Sequence, residues 1–356
     1  MEYRGSILNI LKFAGAYIAF IIGSGFATGQ EIMQFFTSNG LYSIGSILIS
    51  LILFIYFGGV ILGNGYDFKT IKNHSHYKYF CGNILGGVYE ILVPILLFIS
   101  VIIMISGAGA TLKEYYNLNY FVGCLIMAGL ILVAYICGLN KLINTIGFIG
   151  PVIVLFSLIV GFIILFKNYE NLKYIFMVIE NVNIPKAGGN WIRSGILYAA
   201  YNLVTSVLFF STVGACADTR KEAVYGATLG SALLVFVILI MNLALLSKIE
   251  DIKNLAIPTL YFAKSISPLL GKVFSLVLLG GIFSTAAPNF WTVCNKISEN
   301  VKINPKLIAI FVAVIAFMGG LLPFEKLVGN VYPLTGFLGI VLFVCILTKQ
   351  ISKRII

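Results

Sequence analysis

Charged residues in this chain fall in short clusters separated by long apolar stretches. Ten stretches of about 18 residues or more contain no Asp, Glu, Lys or Arg. A helix needs about 20 apolar residues to cross the hydrocarbon core of a bilayer. The longest stretch holds a turn at Ser38-Asn39-Gly40, so one helix ends there and another follows. The pattern predicts ten spanning helices at roughly 8–36, 42–64, 86–114, 118–138, 143–166, 192–217, 221–247, 269–297, 305–322 and 327–348.

Composition supports the same fold class. Hydrophobic residues make up 60% of the 356 residues and charged residues 10%, whereas a soluble domain averages about 25% charged. A β-barrel would show alternating segments of about 10 residues, and this chain shows none. Since only helices and closed barrels satisfy the backbone in lipid, we predict an all-α integral membrane protein with one transmembrane domain over 1–356.

The placement of basic residues predicts the topology. Ten spans put both termini on one side, and a cytoplasmic location leaves only Lys113 and Lys326 in the short outer loops. The first apolar stretch is too long for a cleavable signal. We therefore predict a multi-pass protein of the cell membrane with cytoplasmic termini. The lipid bilayer is its expected partner, and no nucleic acid is expected, because no soluble domain exists to carry a basic face.

Motifs for enzymatic chemistry are missing from the sequence. The six cysteines have no CxxC spacing and lie mostly within spans, as small packing residues do. No HExxH, GxxxxGK[ST] or GxSxG motif occurs. We expect neither an enzyme nor a cofactor, and the pattern makes no prediction of an oligomeric state.

The first span is interrupted by glycines near its middle. Gly23, Gly25 and Gly29 lie within seven residues, and each costs a helix about 1 kcal/mol relative to alanine. An unwound turn at this depth is tolerated where it lines a cavity or is buried in protein. Its free N–H groups suit a carboxylate, and the carbonyls that end the inner half-helix suit a cation. Close packing through the Gly25–Gly29 spacing is the alternative interpretation.

Glu31 follows this break in the outer half of the span. A carboxylate at that depth is costly and is usually functional. Three roles are open for it: pairing with Arg193 or Lys326 at the outer mouth, carrying a coupling proton, or simply reaching interfacial water.

Ten spans divide into five plus five, and an odd number per half requires the second half to be inverted. The repeats are predicted at about 8–166 and about 192–348. The sixth span should then also be interrupted. Tyr198-Ala-Ala-Tyr201-Asn202 echoes Phe13-Ala-Gly-Ala-Tyr17, and Thr205 and Ser206 bring further polarity to mid-span.

The eighth span places two hydroxyls side by side at mid-membrane, on Ser284 and Thr285. Pro288 cannot donate to the Ser284 carbonyl, so oxygens are freed here. Hydroxyl and carbonyl ligands suit a hard cation such as Na⁺. Hydrogen bonding of the hydroxyls back to their own helix is the alternative.

The roles of two long outer loops, 167–193 and 248–272, are open. Residues 173–180 suggest a short interfacial helix, and residues 254–268 suggest an extracellular lid.

These features carry a family resemblance. Ile22-Gly-Ser-Gly25-Phe resembles the first-helix signature of amino acid–polyamine–organocation (APC) superfamily transporters. Ser284-Thr285 resembles half of the sodium site in sodium-coupled members with the LeuT fold. The stretch from Phe13 to Glu31 is similar, more narrowly, to the YkvI-like membrane proteins.

The resemblance implies a LeuT-like fold with helices 1 and 6 discontinuous, and alternating access around a central site. It places the substrate between Gly23, Ser24 and Gly25 on one side and Tyr201, Asn202 and Thr205 on the other. It places a sodium ion on the carbonyls of Ala19, Ile22 and Gly281 and the hydroxyls of Ser284 and Thr285.

Three features of the chain either differ from the family's pattern or narrow what the resemblance implies. The chain is short for the family and has no helices beyond ten. Asn202 stands where many relatives have glycine, which places sixth-helix unwinding in doubt. The fifth span has no basic residue, which favours sodium over the lysine that some proton-coupled relatives use.

Three hypotheses follow. The first is sodium-coupled symport of a small amino acid or related zwitterion. The second is a transporter of the same fold that uses protons through Glu31 or moves an amine or a cation. The third is a non-transporting membrane protein, such as a sensor or a channel.

Overall fold

The regular structure of the chain is helical, as predicted. The computed structural model describes residues 2–71, 75–138, 143–180, 182 and 184–355. Eight of its helices are long and apolar enough to cross a membrane, and two shorter apolar helices run from Ile7 to Ile21 and from Pro305 to Gly320. The eight long helices correspond to eight of the predicted spans. The shorter two correspond to the first and ninth.

The helices of the first half follow in chain order. They are α1 (Glu2–Ile21), α2 (Ser24–Ala27), α3 (Gln30–Phe35), a 3₁₀ segment (Thr37–Tyr42), α4 (Ser43–Asp67), α5 (His76–Tyr116), α6 (Tyr120–Cys137) and α7 (Ile143–Asn168).

The second half begins with a surface segment that contains the short helix predicted near 173–180. Its elements are a 3₁₀ segment (Tyr169–Tyr174), α8 (Ile175–Glu180), α9 (Trp191–Ala215), α10 (Arg220–Ser247), α11 (Ile249–Ile252), α12 (Pro258–Ile266), α13 (Pro268–Asn300), α14 (Pro305–Gly320) and α15 (Phe324–Ile355).

Local sequence explains where several helices begin. Thr219 caps α10 by accepting the Glu222 N–H at 3.2 Å, and the Glu222 carboxylate accepts the Asp218 N–H in return. This arrangement resembles a capping box, with the Glu222 carboxylate reaching the residue before the N-cap. Helices α12, α13 and α14 each start on a proline, whose missing N–H costs nothing at that position.

The predicted break in the first span is present. Helix α1 ends at Ile21, Gly23 is extended (φ −97°, ψ −168°), and α2 begins at Ser24. A second interruption follows at Gly29, whose φ of 82° is a left-handed conformation that a side chain would strain. The span is therefore three helical pieces in series, the longer α1 followed by the short α2 and α3.

The predicted break in the sixth span is wrong. Helix α9 runs without interruption from Trp191 to Ala215. The Asn202 side-chain amide donates to the Tyr198 carbonyl at 3.0 Å, one turn earlier. Thr205 likewise donates to the carbonyls of Tyr201 and Asn202. The polar groups are thus satisfied by the helix itself, and they do not open it.

The helix contacts of the two halves correspond to one another. Helix α1 contacts α10, and α9 contacts α4. Helix α6 contacts α5, and α14 contacts α13; similarly, α7 contacts α13 and α15 contacts α5. In each of these three pairs, one contact becomes the other when spans one to five are exchanged with spans six to ten. In this packing α1, α9, α5 and α13 all lie around the break in the first span, and α5 and α13 contact each other.

Candidate functional site

A cavity of about 70 Å³ lies at the break in the first span. Its walls come from α1, the Gly23 turn, α3, α5, α9, α13 and α15. The polar lining residues are Glu31, Ser100, Tyr201, Asn202, Thr205, Thr285, Asn289, Tyr332 and Thr335. The apolar ones are Phe20, Ile21, Leu96, Leu97, Ile103, Met104 and Val331. A polar space of this size can hold a few waters or one small ligand.

The break leaves backbone carbonyls without their usual helical donors. The Gly23 N–H donates to the Ile21 carbonyl at 2.9 Å, whereas in a continuous helix it would donate to Ala19. The Phe26 N–H, which would otherwise donate to Ile22, faces the Glu31 carboxylate. Ala19 and Ile22, two of the three residues whose carbonyls the resemblance assigned to a cation, therefore lose these helical donors at the break.

Glu31 turns back from α3 onto the break and is buried, with 2% of its surface exposed. The Tyr201 hydroxyl donates to its Oε2 at 2.5 Å. The carboxyl group also fills the space over Gly25, where a Cβ would lie 2.6 Å from the Glu31 Cγ and 2.7 Å from its Cδ. The absence of a side chain at Gly25 is what lets the carboxylate reach this position.

Aromatic rings hold Tyr201 in place. It stacks on Tyr332 with ring centroids 4.7 Å apart and on Phe35 with centroids 5.6 Å apart. Tyr198 meets it edge-on, and the buried Tyr198 hydroxyl has no hydrogen-bond partner of good geometry within the described part of the chain. Stacked rings restrict the Tyr201 side chain, so its hydroxyl is fixed toward Glu31.

The structure brings four of the six predicted substrate residues to the cavity wall: Gly23, Tyr201, Asn202 and Thr205. The other two, Ser24 and Gly25, are buried behind it. Gly25 is covered by Glu31. The Ser24 hydroxyl is buried and makes no hydrogen bond to another described residue.

Of the five residues predicted to bind sodium, Thr285 lines the cavity. The hydroxyls of Ser284 and Thr285 both donate to the Gly281 carbonyl, at 2.8 and 3.3 Å. This is the back-bonding alternative raised by the sequence, although a hydroxyl oxygen that donates can still coordinate a cation through its lone pairs. Helix α13 contacts α2, the helical piece that follows the break.

Glu31 does not pair with Arg193 or Lys326, contrary to one of the roles considered for it. Its side chain points inward to Tyr201. Arg193 is exposed, and its guanidinium lies 4.8 Å from the centroid of the Phe337 ring. Lys326 is also exposed. The inward turn over Gly25 is the physical reason, because it separates the carboxylate from both cations.

Helix α12 packs against the second interruption of the first span, at Gly29. The Thr259 hydroxyl donates to the Ala27 carbonyl at 2.7 Å, and the Thr259 N–H donates to the Thr28 carbonyl at 3.2 Å. The Glu114 carboxylate accepts the N–H groups of Ala256 and Ile257, at 2.8 and 3.2 Å, just before α12 begins. The predicted lid segment 254–268 is thus bonded directly to the interrupted helix.

Sequence reasoning missed several polar residues of the cavity. Ser100, Asn289, Tyr332 and Thr335 line it but were not predicted. The Asn289 amide donates to the Ser100 hydroxyl at 3.4 Å across two helices. In the sequence, such a residue can be found as an isolated polar side chain within a charge-free span. Ser100, Asn289 and Thr335 each fit that description.

Comparisons with known proteins agree with this architecture. The chain is 23% identical to the membrane protein YkvI of Bacillus subtilis (strain 168) over 349 residues, which cover 96% of both chains. The chain is a distant, full-length homologue of YkvI. It is also 21% identical to the protein YyaD of the same organism, over 99% of both chains. A scan against protein-family profiles finds no match.

Solved transporter structures share the fold. MhsT in complex with L-phenylalanine matches with a TM-score of 0.59 at 14% identity, covering 92% of this chain and 87% of MhsT. A mutant of the Eremococcus coleocola manganese transporter matches at 0.57 and 13% identity, covering 96% and 78%. Inward-facing Mhp1 matches at 0.55 and 14% identity, covering 94% and 73%. The chain therefore has the LeuT-like fold that the sequence resemblance implied.

Proposed function

We propose that this protein is a secondary active transporter that binds a small polar molecule in the central cavity and moves it by alternating access, coupled to a cation. The observation that carries the proposal is the cavity itself. It lies where α1 is interrupted, and it is lined by Gly23, Glu31, Tyr201, Asn202 and Thr205. Irregular backbone at membrane depth beside a cavity is the arrangement found at transporter binding sites.

The proposal includes the inverted repeat, with halves at about 8–166 and about 192–348 in one domain. The reciprocal contacts of α1 with α10 and of α9 with α4 support it. Ten spans in this arrangement place both termini on one side, and the basic residues of the short loops favour the cytoplasm. The interrupted first span is the expected moving element against a scaffold that contains α5, α6, α13 and α14.

Sodium is the proposed coupling ion. Support comes from two sets of oxygens: the carbonyls of Ala19 and Ile22, which lose their helical donors at the break, and the hydroxyls of Ser284 and Thr285 on α13, of which Thr285 lines the cavity. These neutral oxygen donors suit a hard monovalent cation. Sodium that binds between the first span and α13 would favour one conformation of the first span, which is how binding of an ion shifts a population.

The sequence favours a small amino acid or related zwitterion as the substrate, and MhsT was solved with such a ligand. The position of Glu31 argues against a substrate carboxylate bound at the free N–H groups of the break. Its carboxylate already lies over Gly25 and faces the Phe26 N–H. We therefore limit the proposal at this point to a small polar molecule.

Proton coupling through Glu31 is the second candidate. The observation that favours it is a buried carboxylate whose hydrogen-bond partner is a tyrosine, with no ion pair to it among the described residues. A buried carboxylate without a cation strongly favours uptake of a proton or a positive ligand. Sodium-independent uptake driven by an imposed pH gradient, and abolished in Glu31→Gln, would support this candidate over sodium coupling.

The decisive measurement is the thermal stability of detergent-purified protein in NaCl and in KCl at equal ionic strength. We expect stabilisation specific to sodium, because an ion that binds only the folded state raises its stability. The double variant Ser284→Ala/Thr285→Ala should lose the difference between the salts. An unchanged sodium response in that variant would contradict the proposed ion site. Uptake into proteoliposomes under an inward sodium gradient then tests transport, and a protein with neither response would support a sensor or a channel.

A further inference from the structure

The cavity already contains a carboxyl group that belongs to the protein, and a positively charged ligand would favour its ionised form. Glu31 is the charged residue of the cavity lining, and no Lys, Arg or His appears among the described residues that form the wall. The four ion pairs found among the described residues all lie elsewhere. A buried charge without an opposite charge is costly, so a ligand that carries a positive charge would offset this cost.

The same carboxylate occupies the place that a substrate carboxylate would need. It fills the space over Gly25, faces the Phe26 N–H and accepts the Tyr201 hydroxyl. A second carboxylate entering this part of the site would find the space and its donors occupied, and would meet a like charge whenever Glu31 is ionised. Such repulsion is how a binding site rejects a ligand whose shape otherwise fits.

The part of the wall formed by α5 is mostly apolar, with Ser100 as its polar residue. Leu96, Leu97, Ile103 and Met104, all on α5, line the cavity together with Val331. A divalent metal prefers several charged, imidazole or thiolate ligands, and the described residues contain no group of three or more His, Cys, Asp or Glu side chains that could hold one. An apolar wall instead suits the hydrocarbon part of an organic molecule.

From these observations we infer that Glu31 determines the charge of the substrate: the cavity accepts a small organic amine in its ammonium form and excludes the amino acid that bears a carboxylate on the same carbon. Glu31 and Tyr201 bind the ammonium end, and the α5 wall contacts the apolar end. The inference rests on the proposed function, since it takes this cavity as the substrate site.

The test uses matched pairs that differ only by the carboxylate. The probes are ethylamine with L-alanine, isobutylamine with L-valine, and isopentylamine with L-leucine, added to detergent-purified protein at neutral pH in constant NaCl. The measurement is the ligand concentration that gives half-maximal thermal stabilisation. For at least one pair we expect the amine to act at a concentration at least about tenfold lower than its amino acid.

Three variants sharpen the test. Glu31→Gln removes the charge at nearly constant size and should abolish the preference for the amine. Tyr201→Phe keeps the charge, so it should weaken amine binding and retain the preference. Glu250→Gln changes an exposed carboxylate on α11 and should match the wild-type protein. If Glu31→Gln does not fold, the wild-type pairs and Tyr201→Phe still decide the matter.

Equal or tighter binding of the amino acids by the wild-type protein would overturn the inference, as would an amine preference that persists in Glu31→Gln. A wild-type protein that responds to no amine also contradicts it. The proposed transporter function fails differently, through the loss of sodium-specific stabilisation and of gradient-driven uptake. An amino acid that drives sodium-dependent uptake would therefore reject the inference and keep the transporter.

Discussion

The first and sixth spans are counterparts in the predicted repeat, yet they have different backbones. The first span is split at Gly23 and again at Gly29, whereas α9 is one continuous helix from Trp191 to Ala215. Both spans carry polar residues at mid-membrane, and both contribute to the same cavity. Polarity at mid-span is therefore not what opens a helix in this protein.

The glycine content of each span and the hydrogen-bond partners of its polar side chains account for the difference. Three glycines lower the helix propensity of the first span, and Gly25 leaves room for the Glu31 carboxylate to meet a backbone N–H. In α9 the side chains of Asn202 and Thr205 return to carbonyls of their own helix. A side chain that donates to a carbonyl of its own helix leaves that helix continuous. The Glu31 carboxylate instead faces the Phe26 N–H in place of its helical acceptor, the Ile22 carbonyl, and so stabilises the break.

Gly25→Ala should have the largest effect on this contrast. Its Cβ would overlap the Glu31 carboxylate, and overpacking in a buried site costs about 3 kcal/mol. We expect a much lower thermal-unfolding midpoint in detergent and loss of ligand-induced stabilisation. Removing the obstructing side chain in Gly25→Ala/Glu31→Ala should restore part of the stability.

Gly15→Ala is the matched control within the same span, because nothing lies within 4 Å of the Cβ that it adds. It should leave stability unchanged or raise it by up to about 1 kcal/mol. Equal losses in Gly15→Ala and Gly25→Ala would show that the contact with Glu31 is not the cause.

Tyr201→Phe should have the next largest effect. It removes the hydroxyl that donates to Glu31 at 2.5 Å, and leaving a buried hydrogen-bond partner unsatisfied costs about 1–3 kcal/mol. We expect a lower unfolding midpoint that is not lowered further when Glu31→Gln is added. Tyr135→Phe, which loses only a 3.4 Å contact to Asn295, is the control. Additive losses in the double variant would argue against coupling between Tyr201 and Glu31.

Gly29→Ala tests the second interruption. Its φ of 82° costs an alanine about 1–2 kcal/mol, and its Cβ would lie 2.8 Å from the Thr259 Cγ2. We expect lower stability and increased hydrogen exchange in α12. Thr259→Ser removes that methyl group but keeps the hydroxyl, so it should relieve the steric part of the loss. If Thr259→Ser gives no recovery, backbone strain alone would explain the result.

Asn202→Gly should have the smallest effect, because glycine in a helix differs from asparagine by less than about 1 kcal/mol. It removes the bond to the Tyr198 carbonyl and makes α9 resemble the first span. We expect faster hydrogen exchange near residues 198–206 with little change in the unfolding midpoint. Asn202→Ala, which removes the same bond without adding glycine, is the control. Equal exchange in both variants would assign the effect to the lost side chain.

Much of the fold was predictable because a bilayer imposes a length and an apolar composition on each span. The charge-free stretches predicted the helices, and three glycines in seven residues predicted the first break. Within the site, Gly23, Tyr201, Asn202, Thr205 and Thr285 were placed at the cavity by motif and resemblance. The rotamers of polar side chains were not predictable, because a hydroxyl or an amide can bond either to a carbonyl of its own helix or to a residue on another helix.

The sequence by itself determined the class of the protein, its spans and the weak point of its first helix, since hydrophobic length and glycine content act along the chain. Tertiary structure alone decided that Thr259 of α12 binds the interrupted helix. It also decided that Glu31 turns inward to Tyr201. Each of these depends on which partner lies within hydrogen-bonding distance once the helices have packed. That distance arises from residues as far apart in the chain as Glu31 and Tyr201, which no local pattern can specify.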